Sequence, residues 1–207
     1  MSDLAAWPAA APLLTVRLRL EPLRVEHARE TAPVLDDVRL HEWTGGEPRS
    51  ADELAARYRW QVAGHSPDGE QGWLNWIVRG RADGRVRGTV QATLTRPEPG
   101  LLRAALAWVV GTEHQGHGYA QEAARAMAGW LHEQGVGELT AHIRAGHRRS
   151  SAVARAVGLS PTSAVVDGEV VWSDRAGEPP QRSRCRARGR ARRRARGGSG
   201  AGSAAPS

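Results

Sequence analysis

Two glycines sit in the densest chemical signal of this 207-residue chain, the run Gln115-Gly116-His117-Gly118-Tyr119-Ala120. It follows the apolar stretch Leu101 to Val110 and opens the alanine-rich amphipathic stretch Ala120 to Leu131, so a strand hands its chain into a helix through a glycine turn. Glycine lets the main chain turn tightly and come close to a ligand. The N–H groups of the helix's first turn lack intrahelical acceptors and point outward, with the positive end of the helix dipole behind them. Such a junction holds an anion, and a pyrophosphate is its natural guest. Asn75 and Gln91 are the second signal, amides inside runs that otherwise bury apolar or aromatic groups. A buried amide must find hydrogen bonds or cost stability. Two readings stand for this pair: satisfied polar groups on a sheet face, or the lining of a reaction pocket.

The neighbouring side chains restrict the chemistry. A G-x-x-x-x-G-K-[ST] phosphate loop needs a lysine, and the chain contains none. A G-x-G-x-x-G dinucleotide fingerprint would place its third glycine at position 121, which is Gln121. Cys185 is the only cysteine, which excludes an intrachain disulfide and a cysteine-rich zinc site, and suits a reducing, cytoplasmic setting. No G-x-S-x-G elbow occurs. His114, His117, His142 and His147 have no carboxylate or cysteine at a recognised ligand spacing, so no metal is expected.

The elements that must position these residues follow from periodicity. Val16, Leu18 and Leu20 alternate with Arg17 and Arg19 as a half-buried first strand. A helix is expected near Val25 to Leu40, then a loop at His41 to Gly46. Ser50-Ala51-Asp52-Glu53 reads as a capping box opening a helix from Ala51 to about Val62. Trp73 to Arg79, Arg85 to Thr95 and Leu101 to Val110 read as an antiparallel meander. The glycine junction and its helix follow, with Ala120, Ala123, Ala124, Met127 and Leu131 on one face. Then come a strand at Gly137 to Ile143, a loop, a helix at Ser150 to Val157, and a hairpin turning at Asp167-Gly168.

This order, with Q-x-x-G-x-A at Gln115, Gly118 and Ala120, resembles the GNAT N-acetyltransferase superfamily, and within it the branch of ribosomal-protein amino-terminal acetyltransferases. The resemblance runs from about Val16 to Trp172 and is densest from Ala104 to Thr162. It implies an α+β fold: a single mixed, mostly antiparallel sheet of about seven strands with helices on both faces. It implies acetyl-CoA as co-substrate, with its pyrophosphate on the amides of Gln115, Gly116, His117, Gly118, Tyr119 and Ala120, and its arm beside Trp108, Val109 and Val110. His147 stands where the family usually has Asn, and Ser150 matches the family's Ser, so both join the donor site. The His41 to Gly46 loop would border the acceptor, which brings Glu42 and Trp43 toward substrate.

The implied reaction is attack of an amine on the thioester, with an oxyanion held by a main-chain N–H near Val109 or Val110. The family's usual tyrosine acid is replaced at Ala154 or Arg155, and its usual glutamate base at Ala105, with Ala107 and Trp108 in place of the following Gly-Tyr. Catalytic candidates are therefore Asn75, Gln91 and Glu42. Freeing a lysine amine at neutral pH costs about 4.6 kcal/mol, and an α-amine only about 1 kcal/mol. Without the usual base, an α-amine of a small molecule, peptide or protein is the easier acceptor. The alternatives are a non-catalytic acyl-CoA sensor and an RNA-associated protein acting through its tail.

The formal charge of +7 divides unevenly. Residues 175–207 hold ten arginines against Glu178, while residues 1–174 hold nineteen arginines against twenty-one acids. The tail has no apolar period and repels itself, so disorder is expected, with nonspecific binding to nucleic-acid phosphates as one role. Its Arg, Gly, Ala, Ser and Pro content is also what a GC-rich reading frame yields without any selected role. The expected organisation is a disordered lead at 1–13, one acetyltransferase domain at 14–174 and a disordered Arg-rich tail at 175–207, monomeric or homodimeric, with no membrane segment.

Overall fold

The computed structural model describes residues 6–175, and the Arg-rich tail beyond them lies outside the described residues. One sheet of eight strands runs in the order β1-β2-β3-β4-β5-β6-β8-β7. The strands are β1 Leu13–Leu14, β2 Leu18–Pro22, β3 Gly72–Gly80, β4 Val86–Glu98, β5 Leu101–Val110, β6 Glu138–Arg144, β7 Ser160–Val166 and β8 Glu169–Ser173. The β5–β6 pair alone is parallel. The sheet has one strand more than the seven or so expected, because Leu13 and Leu14 pair with Leu20 and Arg19.

Period-two alternation along β4 assigns the faces. Val90, Ala92 and Leu94 are buried against α4 (Tyr119–Glu133) and α5 (Arg148–Ala156), while Thr89, Gln91 and Thr93 face the other side. On the first face Met127 and Leu131 are fully buried, and Ala123, Ala124 and Ala128 keep the helix close to the sheet. On the second face α1 (Ala28–Leu35) and α3 (Ala51–Gln61) pack over Ile77 and Val86.

The α3 capping box forms as read, with Ser50 Oγ accepting from Glu53 N–H and Glu53 accepting from Ser50 N–H. Asp167 and Gly168 both have positive φ, as the two-residue hairpin turn requires. The expected helix from Val25 to Leu40 is instead a 3-10 turn at Val25–His27, α1, and a separate α2 at Val38–Thr44. Asp37 starts the new helix by accepting from Arg39 N–H at 2.9 Å. Glu42 and Trp43 therefore lie on a helix rather than in a loop. Residues 6–13 also do not form a loose lead. Trp7 Nε1 donates to Gly69 O at 3.1 Å, Arg96 sits 3.7 Å over the Trp7 ring, and Trp76 Nε1 donates to Ala11 O at 2.7 Å.

Among the described residues no helix is long and apolar enough to cross a membrane, and no group of three or more His, Cys, Asp or Glu side chains is placed to hold a metal ion.

Candidate functional site

The parallel β5–β6 ladder is short. It pairs Arg103, Ala104 and Ala105 with Glu138, Leu139 and Thr140 and then stops, although β5 continues to Val110 and β6 to Arg144. The two strands splay, leaving one edge of β5 open from Leu106 onward. Gly111 N–H donates to Arg87 O on β4, so by the alternation of an antiparallel ladder Trp108 and Val110 turn their main-chain groups toward that open edge. The Val110 carbonyl there accepts from Gln115 Nε2 at 3.1 Å. Trp108 Nε1 donates to Ser150 Oγ at 3.1 Å, joining β5 to α5 beyond the splay.

At one end lies the glycine junction. Gly116 and Gly118 have φ of 82° and 78°, and Gly118 is the N-cap of α4 with no side-chain cap bond. The first helical bond is Glu122 N–H to Gly118 O, so the N–H groups of Tyr119, Ala120 and Gln121 precede the helical ladder. Gly116, His117 and Gly118 are exposed. Arg17 grips this turn, donating from Nη1 to His117 O at 2.9 Å, pairing with Glu122 at 2.6 Å and lying 4.9 Å from the Tyr119 ring centroid. Arg149 Nη1 donates to Gln115 Oε1 at 2.6 Å. Amides outside the helical ladder, a helix N-terminus and two guanidinium groups, one of them paired with Glu122, thus stand together at this turn. Neither arginine was identified from sequence. Arg17 reads as the solvent side of a strand, and only the fold brings it to a loop 100 residues on.

At the other end a cavity of about 730 Å³ opens between the sheet and helices α2 and α3. Asn75, Gln91 and Ala107 are in direct register across β3, β4 and β5, and all three line it. Ala105, Val109, His142 and Ser150 line it as well. The two amides are thus brought together, half-buried, beside the strand with the open edge. Trp43 and His147 line the mouth with their rings 4.2 Å apart, and His147 Nδ1 caps α5 by accepting from Ser150 N–H at 3.3 Å. Imidazole therefore does the capping at the position where the family usually has Asn. Glu42 is not brought in. It is exposed and outside the lining, and its main-chain carbonyl accepts from Arg144. Ala154 is fully buried in the core and Arg155 lies over Trp172, so α5 offers no acid.

Tyr58, on the helix opened by the Ser50–Glu53 capping box, lines the cavity at 4% exposure. Its buried Oη lies beside the Thr31 hydroxyl of α1. Burial pushes the phenol's pKa up, which keeps it protonated at neutral pH.

Three histidines carry a pH signature. His27, His114 and His147 are all held below the ordinary value of 6.5, by burial first and then by nearby Arg24, Arg87 and Arg149 respectively. Each is more easily protonated in the unfolded chain, so its contribution is present above pH 6.5 and is lost as the pH falls through its folded value. The thermal midpoint should begin to fall near pH 6.5, before the carboxylates titrate. Melting curves from pH 8 to 5 test this, and a flat profile would contradict it. His147→Asn, which keeps a capping acceptor but does not titrate, should remove part of the slope.

Comparisons agree with this geometry. A family profile described as an acetyltransferase (GNAT) domain matches residues 17–160. An acetyltransferase structure from Agrobacterium tumefaciens is 23% identical, with a TM-score of 0.60, over 82% of this chain and 96% of its own. A Salmonella typhimurium acetyltransferase described as modifying the N-terminal serine of ribosomal protein L7/L12 is 14% identical, with a TM-score of 0.63, over 79% and 98%. The microcin C7 self-immunity acetyltransferase MccE, solved with acetyl-CoA and AMP, is 11% identical, with a TM-score of 0.61, over 77% and 92%. No curated protein matches the chain. The solved structures agree in fold, and the profile spans both the glycine junction and the splayed strands, so the chain belongs to the GNAT acetyltransferase family and is an acyltransferase.

Proposed function

We propose that the protein transfers the acetyl group of acetyl-CoA to an amine, an α-amine being the preferred kind, by direct attack on the thioester. The observation that carries this is the β5–β6 splay, with an anion-binding loop at one end and a cavity with two in-register amides at the other. The pyrophosphate would lie on the amides of residues 115–120 near Arg17 and Arg149, and the arm of the donor along Trp108 to Val110 with His147 and Ser150 at its side. A N–H on the open edge of β5 would hold the oxyanion.

The amine nitrogen bonds to the acetyl carbon, the C–S bond breaks, and the electron pair leaves on sulfur. Asn75 and Gln91 orient the amine. His142, which lines the cavity from β6, would take the proton the nitrogen sheds. The departing thiolate needs no side-chain acid, because its thiol has a pKa of only about 8.5. Glu42 has the weakest support of the catalytic candidates, because its side chain does not reach the cavity lining.

Release of CoA thiol that depends on added amine tests the reading; acetyl-CoA binding without such release would make the protein a sensor. Asn75→Leu and Gln91→Leu should each lower kcat by about tenfold to a hundredfold while acetyl-CoA affinity stays within about twofold. Retained binding shows that the variant is folded. Unchanged turnover in both would return the amides to a packing role.

A further inference from the structure

The cavity is more basic than the body around it. Through residue 174 the chain has nineteen arginines against twenty-one acids. The cavity lining, however, includes Arg49, Arg57 and Arg144 against one carboxylate, Glu169. Glu169 stands directly across from Arg144 in the β6–β8 register, and Arg144 also donates from Nη1 to Glu42 O. Arg49 and Arg57 are left over. Among the described residues neither forms an ion pair with a carboxylate. Glu53, on the first turn of α3, feels the charge of Arg49 but spends its hydrogen bonds on Ser50 N–H and Oγ.

Arg49 and Arg57 are both exposed where they line the cavity, and the Arg57 guanidinium is disfavoured first by partial desolvation and next by the like charge of Arg49. Two cations on the wall of one cavity, neither in an ion pair with a carboxylate, fit a ligand that brings the anion. The anion is not the donor's pyrophosphate, because none of the loop residues 115–120 lines this cavity.

We propose that the acceptor is an anionic amine, with its nitrogen beside Asn75 and Gln91 and a carboxylate or phosphate bound by Arg49 and Arg57. This rests on the acetyl-transfer reading and adds the substrate class to it. A planar guanidinium pair suits either anion, since both present two oxygens to a fork of N–H donors.

The test uses paired acceptors of which only one carries the anion: the C-terminal amides of Ala-Glu and Ala-Gln, and phosphoethanolamine against ethanolamine. CoA release gives kcat/KM, and calorimetric titration into the protein with CoA present gives binding independently of turnover. The charged member should be preferred by about tenfold or more, as a charge-assisted contact allows. The preference should fall toward one in Arg57→Gln and in Arg49→Gln, with acetyl-CoA binding retained as the check on folding. Which pair shows the larger ratio separates a carboxylate from a phosphate. Equal use and binding of charged and neutral members, or a preference that survives in the double variant, would overturn the proposal. If neutral amines turn over well, this proposal fails while acetyl transfer stands. If no amine releases CoA but the charged probes bind through the arginines, acetyl transfer fails and the anion site stands.

Discussion

Gly118→Asp should leave the protein folded and abolish its stabilisation by acetyl-CoA. Gly118 has φ +78°, a conformation that Asp tolerates better than most residues. A Cβ there would meet only Arg17 Nη2, at 3.5 Å, an ordinary contact. The apo fold should therefore lose no more than about 1–2 kcal/mol, and an ion pair of the new carboxylate with Arg17 would offset part of that. Donor binding is affected much more strongly. The new charge sits at the N-cap of α4, where the amides and the helix dipole must meet a pyrophosphate, and it ties up the arginine that grips the turn. At a hundred times its Kd, acetyl-CoA stabilises wild type by about 2.7 kcal/mol, or roughly 5–10 °C in Tm. That shift should vanish in Gly118→Asp and persist in Gly158→Asp. Gly158 also has positive φ, +89°, with open space around it, but lies beyond the other helix, after α5. An undiminished shift in Gly118→Asp would remove the loop from the donor site.

Such a loop was legible in the sequence because its chemistry is local. Two glycines, a preceding strand and a following amphipathic helix specify the turn without reference to the rest of the chain, and the Ser50–Glu53 capping box and the Asp167-Gly168 turn were readable for the same reason. Asn75 and Gln91 were visible only as oddities, since their meeting depends on the β3–β4 register. What sequence reading missed depends on contacts between distant segments. Trp7 belongs to a segment with no period of its own and is held by a carbonyl 62 residues away. Arg17 faces solvent in the local pattern and reaches His117 only once the sheet has formed. Arg57 and Tyr58 are consecutive on α3, and nothing in their spacing distinguishes a residue lining a cavity from one on an ordinary helix surface. The break between α1 and α2 was a local signal that was missed: Asp36-Asp37 interrupts a helical pattern, and Asp37 starts the next helix.

Gly88→Ala should be the most damaging single methyl in the sheet. Its φ is not positive, so alanine meets no conformational penalty there. The obstacle is the neighbouring strand: an added Cβ would lie 2.0 Å from Val109 O, 2.8 Å from Val110 Cα and 3.0 Å from Val109 C. All three are main-chain atoms of β5, which cannot swing aside as a side chain can. Gly72 gives the contrast, since a Cβ there would meet a side chain rather than main chain, the Trp7 ring at 2.8 Å. Gly88→Ala should cost about 3 kcal/mol or more, against about 1 kcal/mol for Gly72→Ala. For a domain of this size the first is a fall in Tm of roughly 6–12 °C. The displaced strand is also the one whose open edge is proposed to meet the donor and hold the oxyanion. Molecules of Gly88→Ala that remain folded at low temperature should therefore bind acetyl-CoA more weakly and turn over more slowly, whereas Gly72→Ala should keep both. Equal stability of Gly88→Ala and wild type would mean that β5 bends freely at Val109 and Val110, and the fixed placement of its open edge, on which the proposed chemistry depends, would then be wrong.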